Sequence, residues 1–171
     1  MASIGHIAVG LAAGRAFTPN DAPRAALLKA CGAFSALAML PDVDVIAFAL
    51  GIPYEHPFGH RGATHSIAFA LLVTALAYVV CGPLKLPRGA TALCTLAAIG
   101  THGPLDTLTN GGLGCALFWP FSNGRWFAPW TPIPVAPIGM HMLSLRGLLV
   151  ALVELVMFSP LLIYATFPRR R

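Results

Sequence analysis

The chain has 171 residues, 57 % of them hydrophobic and 10 % charged, with a net charge of +5 and a mean hydropathy of +0.74. A soluble domain carries roughly 25 % charged residues, so this composition excludes an ordinary soluble globular protein and points to a lipid bilayer. The basic residues are scattered and end in Arg169-Arg170-Arg171, which suits a juxtamembrane cluster facing anionic lipid and not a nucleic-acid surface.

In chain order, residues 2–17 form a short apolar segment, with Gly10 and Gly14 at the spacing that lets two helices approach closely. Residues 24–40 form a second, stopped or kinked at Pro41, and apolar character resumes over 45–52. Residues 64–82 form a third, ended by Gly82-Pro83, and residues 88–108 a fourth, with Gly103-Pro104 inside it. Residues 109–142 are rich in Gly, Pro, Trp and Phe, as in Phe118-Trp119-Pro120-Phe121 and Trp126-Phe127-Ala128-Pro129-Trp130. Prolines forbid a continuous helix there, and the aromatics fit the membrane–water interface. Residues 143–167 form a fifth segment and the clearest span. A crossing takes about 20 helical residues, so 2–17 is marginal. The expectation is one all-α domain over 1–171: a polytopic membrane bundle of four to five segments with an aromatic, Pro-rich interfacial loop.

Charge sets the expected orientation. If all five segments cross, Arg15, Arg24, Lys29, Lys85, Arg88 and Arg169-Arg170-Arg171 fall on one side, and Arg61, Arg125 and Arg146 on the other. The richer side is cytoplasmic, which puts the C-terminus inside and the N-terminus outside. No start resembling a cleaved signal peptide is expected. Cys31, Cys81, Cys94 and Cys115 form no C-x-x-C pair and read as small buried residues.

Ionisable residues are sparse and bunched. The set is His6, Asp42, Asp44, His60, His65, His102 and Asp106. In the expected topology all seven lie near the extracytoplasmic face. Inside apolar segments such residues are costly, and imidazole with carboxylate is the ligand combination of zinc and similar divalent ions. His102 and Asp106 stand at i and i+4, on one helix face. Asp42 and Asp44 follow the Pro41 break and read as paired carboxylates, bridging metals or orienting a water. His60-Arg61-Gly62-Ala63-Thr64-His65-Ser66 places two histidines around a glycine. Thr64 or Ser66 there can cap the following helix, and Arg61 can grip a phosphate oxygen. Arg125, with Ser122 and Asn123, suits a polar head group or an interfacial anchor. His56 and His141 are bystanders or substrate-loop residues.

These pieces resemble the LexA-regulated inner-membrane metal-dependent hydrolase family. The resemblance rests on His6, Leu40-Pro41-Asp42-Val43-Asp44, the His60–Ser66 stretch, Thr101-His102-Gly103-Pro104-Leu105-Asp106 and Leu117-Phe118-Trp119-Pro120-Phe121-Ser122, and covers residues 1 to about 135. The family is a distant relative of zinc-dependent phospholipase C and the single-strand-specific zinc nucleases, helical phosphodiesterases with clustered zinc ions. The resemblance carries His102 and Asp106 over as an H-x-x-x-D ligand pair, and more loosely His6 and one Asp of the 42/44 pair. A second His-x-x-x-acid pair has no counterpart here, which favours one or two metals over three.

The expectation that follows is a metal-dependent hydrolase of the bacterial inner membrane. It would use one or two divalent ions, zinc first, on a phosphoester in a lipid or lipid-linked substrate. Asp42, Asp44 and Arg61 are its expected catalytic residues, and Arg61, Thr64, Ser66 and Arg125 its expected substrate contacts. The alternative is a metal-ion or proton-coupled transport or binding protein that uses the same cluster.

Overall fold

The structure is a computed structural model, and it describes residues 3–167; the Arg169-Arg170-Arg171 cluster lies outside the described residues. The described residues form helices α1 (Ser3–Phe17), α2 (Arg24–Met39), α3 (Ile46–Ala49), α4 (Ile67–Val80), α5 (Arg88–Gly100), α6 (His102–Thr107), α7 (Leu145–Met157) and α8 (Ser159–Thr166). They contain no strands, only the isolated bridges Thr109–Ile133 and Cys115–Trp126.

Helices α1 and α2 form an antiparallel hairpin. A side chain at Gly10 would run into the backbone of Phe34 and Ser35, and one at Gly14 into that of Cys31, so the two glycines let the backbones touch. Ala13, Phe34 and Ala38 pack with Cys94 and Ala98 of α5 to make the core beside this seam. The hairpin and α5 together fix the frame on which His6, Asp42 and His102 are mounted.

Proline decides where the helices break. Pro41 turns the end of α2 into a 3-10 segment, Leu40–Val45, before α3 resumes. The fourth apolar segment divides at Thr101: α5 ends at Gly100, and α6 begins at His102 with Pro104 in its first turn, where no backbone donor is missed. Ser66 caps α4 by accepting from Phe69 N at 3.0 Å.

The fifth segment is not one straight span. α7 and α8 meet at a 64° bend, because Pro160, near the start of α8, lacks the N–H that would continue α7. Among the described residues, the 26-residue run Arg24–Ala49 is long and apolar enough to cross a bilayer, and the bent pair qualifies only if taken together. α1, α4 and α5 have 15, 14 and 13 residues, each about 20 Å long against a hydrocarbon thickness of roughly 30 Å. The all-helical expectation holds; a count of four to five full crossings is not reached by helix length. The outward side chains suit lipid: Leu71, Leu72, Leu76 and Val79 of α4 and Leu148, Leu149, Leu152 and Val156 of α7 are all exposed.

Residues 108–144 are largely irregular, as their prolines require. Phe121 and Trp130 are 93 % and 74 % exposed, presenting the aromatic surface expected of an interfacial loop.

Candidate metal centre

Two imidazole nitrogens converge at the heart of the molecule. His102 Nε2 and His65 Nε2 lie 3.1 Å apart, and Asp42 Oδ1 sits 3.4 Å from the first and 3.5 Å from the second. Asp106 Oδ2 lies 3.6 Å from His65 Nε2, and ligand atoms of all four residues fall within 4.8 Å of one another. A point equidistant from His65 Nε2, His102 Nε2 and Asp42 Oδ1, whose separations are 3.1–3.5 Å, can lie about 2 Å from each, the bond length of zinc to nitrogen and oxygen, with Asp106 the fourth and more distant corner.

The other ends of the rings are fixed. His102 Nδ1 lies 2.6 Å from the Ala38 carbonyl, which accepts its proton and leaves Nε2 as a lone pair facing the cluster. His65 Nδ1 lies 3.1 Å from Asp44 Oδ2. A side chain at Gly103 would strike the His65 carbonyl, so glycine allows α6 to bring His102 against His65.

Asp44 has a different place from Asp42. Its Oδ1 meets His60 Nδ1 at 2.6 Å, and its Oδ2 accepts from Thr64 Oγ1 at 2.6 Å and Arg61 N at 3.1 Å besides facing His65. Asp44 thus stands behind His65, the carboxylate–histidine arrangement that orients a metal-ligating ring. Asp44, expected as a direct ligand, has both oxygens engaged within the protein, which suits a supporting position behind His65. Asp44, His60 and His65 form a second, smaller group able to hold a cation.

His6 reaches the cluster from α1. Its ring stacks on His102, with centroids 3.6 Å apart, and its Nε2 lies 3.3 Å from Asp106 Oδ1. It flanks the four converging residues through Asp106.

Arg61 is held in the left-handed region, at φ 60°, a conformation that costs about 1 kcal/mol for a non-glycine residue. That backbone presents Arg61 N to Asp44 while the guanidinium turns inward: Nε pairs with Asp106 Oδ2 at 3.1 Å, and Nη1 donates to Thr109 Oγ1 and the Gly111 carbonyl. Three carboxylates, Asp42, Asp44 and Asp106, surround His65, and the one guanidinium pairs with Asp106, so with His65 neutral, as a metal ligand must be, two negative charges are left in a largely buried site. Uncompensated buried charge costs several kcal/mol, and a divalent cation cancels it. The same imbalance acts on His65: burial lowers its affinity for a proton, but hydrogen bonds to Asp106, Asp42 and Asp44 more than offset this and raise its pKa to about 10. Nearby Cys115 is pushed up to about 12, first by burial and then by Asp106, so it stays a thiol and is no nucleophile.

A cavity of about 620 Å³ opens onto the cluster. Asp42, His60, Arg61 and Asp106 form its polar floor, and Met39, Val45, Val135, Pro137, Ile138 and Met142 contribute apolar walls. Asp42, with its side chain 23 % exposed, is the cluster member most open to the cavity.

Three of the expected substrate contacts, Arg125, Ser66 and Thr64, are engaged within the framework. Arg125 donates to the carbonyls of Tyr54, His56, His60 and Gly114, clamping the 50–62 loop to the 109–126 loop. Ser66 is buried, and its hydroxyl donates to the Ala63 carbonyl while capping α4. Thr64 is occupied with Asp44. Of that group only Arg61 lines the cavity.

Residues 1–169 match the family described as YdjM inner membrane protein. The chain belongs to that family. It is also 42 % identical over 107 residues to inner membrane protein YbcI of Escherichia coli (strain K12), a stretch covering 61 % of each chain. No solved structure matches. Membership of the YdjM family places the protein in the inner membrane; neither name specifies an activity.

Several site features of this YdjM-family chain escaped sequence reasoning. The Ala38 carbonyl carries no side-chain signal. Tyr54 and His141 line the cavity; the sequence marks only His141, as a bystander or substrate-loop residue. Glu154 is fully buried in α7, where its Oε2 accepts from Gly5 N at 3.1 Å, next to His6. An acid inside the 143–167 apolar run was a legible signal for it.

Proposed function

We propose that this inner-membrane protein is a metal-dependent hydrolase acting on a phosphoester in a phospholipid or other lipid-linked substrate, with its site near the extracytoplasmic face. One or two divalent ions, zinc first, would be held by Asp42, His65, His102 and Asp106, with Asp44, His60 and His6 in support. The observation that carries this reading is the convergence of the His65 and His102 Nε2 atoms with carboxylate oxygens of Asp42 and Asp106, all within 4.8 Å of one another. When bound, such an ion lowers the pKa of a water to near 7 and polarises the phosphoryl oxygen.

The remaining work falls to the chain. Asp42, the carboxylate most open to the cavity, takes the proton of the attacking water. Arg61 stabilises negative charge developing on the phosphoryl group. The apolar cavity walls hold the hydrocarbon of the substrate, and the exposed aromatic loop borders its entry from the bilayer. LexA control and descent from the zinc phospholipase group belong to this reading through the sequence resemblance.

The test is metal content together with activity. Purified protein is expected to carry near-stoichiometric zinc or a similar ion, His102→Ala and Asp106→Ala to lower it, and the loaded protein to release phosphate or a head group from a member of a lipid-phosphoester panel. Unchanged metal in both variants overturns the metal centre. Metal without hydrolysis across the panel replaces the hydrolase reading by transport, which ion flux in vesicles then measures.

A further inference from the structure

A second cavity, of about 520 Å³, lies at the opposite end of the α1–α2 hairpin from the candidate metal centre. Its wall comes from Leu11 of α1, Asn20 and Ala22 of the turn, Arg24, Leu27, Leu28 and Cys31 of α2, and Ala165–Phe167 at the end of α8. One side is a hydrocarbon trough: Leu28 and Phe167 are 60 % and 61 % exposed, so it opens to the flank of the molecule. The other side is basic. Arg24 lines it, and its exposed side chain makes no hydrogen bond or ion pair among the described residues. Arg15 adjoins it through Asn20: its Nη1 donates to Asn20 Oδ1 at 3.2 Å, its guanidinium lies 5.8 Å from the Tyr164 ring, and its Nε is buried with no hydrogen-bond partner among the described residues. Lys29 lies one turn beyond Arg24, and Asp21 is the sole acid between residues 15 and 31.

We propose that this cleft is a binding site for an anionic phospholipid, its head-group phosphate held by Arg24 and Arg15 and an acyl chain laid along Leu11, Leu27, Leu28 and Phe167. Charge complementarity selects the occupant. Two guanidinium groups at the polar end of an apolar trough match a phosphate joined to a hydrocarbon chain, and Arg grips phosphate with a planar fork. A neutral lipid leaves those charges unanswered; a free anion leaves the trough uncovered. The site is separate from the proposed hydrolase centre, because the hairpin carries His6 and Asp42 at its other end.

The experiment uses the full chain, purified and delipidated in mild detergent. It is titrated with short-chain phosphatidylglycerol, short-chain phosphatidylcholine and inorganic phosphate. Phosphatidylglycerol is expected to bind and the other two not to saturate. Arg15→Gln with Arg24→Gln should weaken that binding roughly 25-fold, about fivefold per basic residue removed. Arg24→Gln alone, at an exposed position, should weaken it about fivefold with metal content and melting temperature unchanged. Equal binding of both lipids, or binding of phosphate as tight as of phosphatidylglycerol, overturns the proposal. So does a triple Arg169/Arg170/Arg171→Gln variant that loses the lipid while Arg24→Gln keeps it, since the tail and not the cleft would then hold it.

Discussion

Asp42 and Asp44 are two residues apart and face different partners. In a 3-10 turn successive side chains are about 120° apart, so i and i+2 cannot share a face. Asp42 turns toward the His65–His102 gap, and Asp44 toward the back of His65 and the His60 ring. The two should therefore fail differently. Asp44→Asn should weaken metal affinity about 10- to 100-fold yet still bind one equivalent at saturation, the usual cost of losing a carboxylate behind a ligating histidine. His102→Ala should abolish stoichiometric binding. Competition against a chromophoric chelator measures both, and equal damage from the two variants would put Asp44 among the direct ligands. The membership of this cluster was legible in the sequence, because ionisable residues are so rare in apolar segments. The division of labour was not: it depends on the pitch of a short 3-10 turn, which the run Leu40-Pro41-Asp42-Val43-Asp44 does not reveal. Thr64 shows the same limit. It is as good a cap as Ser66 by residue type, and only the fold assigns it to Asp44.

The α1–α2 hairpin is the element on which the site depends, since its open end carries His6 near the start of α1 and Asp42 just beyond the end of α2. Its closeness rests on Gly10 and Gly14. Gly14→Val would drive a branched side chain into the Cys31 backbone, which cannot step aside, so a loss of about 3 kcal/mol or more is expected. Gly32→Ala, on α2 with open space around its Cβ, is the matched control and should be neutral or stabilising by about 0.5–1 kcal/mol. Denaturant or thermal unfolding in detergent decides it, and a tolerated Gly14→Val would mean the hairpin is not close-packed. The small-residue spacing announced this seam before any coordinates, and Pro41 announced the break after it. The divisions of the fourth and fifth segments were harder to read. Gly103-Pro104 marks a break in the fourth segment but not its place: Pro104 has no N–H for the Gly100 carbonyl, so α5 ends there, and His102 then meets the Ala38 carbonyl, a contact 64 residues away in sequence. Pro160 lies in an apolar run that looks continuous by hydropathy, so composition gave a straight span where the missing N–H gives a bend.

At the scale of the molecule, the loops sort into two groups by their contacts. The 50–66 loop is tied to the 109–126 loop through Arg125, through Arg61 on Thr109 and Gly111, and through Ile67 N on the Leu117 carbonyl. The two share one end of the bundle, along with the candidate metal centre. The 18–23 turn and the 81–87 turn lie at the far ends of the helices that lead away from them. Arg15, Arg24, Lys29, Lys85 and Arg88 gather at that far end, against Arg61, Arg125 and Arg146 near the centre. Two of those last three are also engaged in fixed contacts within the protein, which leaves the far end as the side with free positive charge. The positive-inside rule supports the proposed orientation, with the far end cytoplasmic and the candidate metal centre outward. This holds although α4 and α5 are short, because a thinned bilayer or flanking basic side chains can accommodate a short helix at modest cost. A reporter active only outside the cytoplasm should therefore work when fused after Arg61 and fail when fused after Leu86. The reverse pattern would invert the orientation, and equal activity at both points would mean that α4 does not cross and that the cluster sits in a re-entrant fold entered from one side.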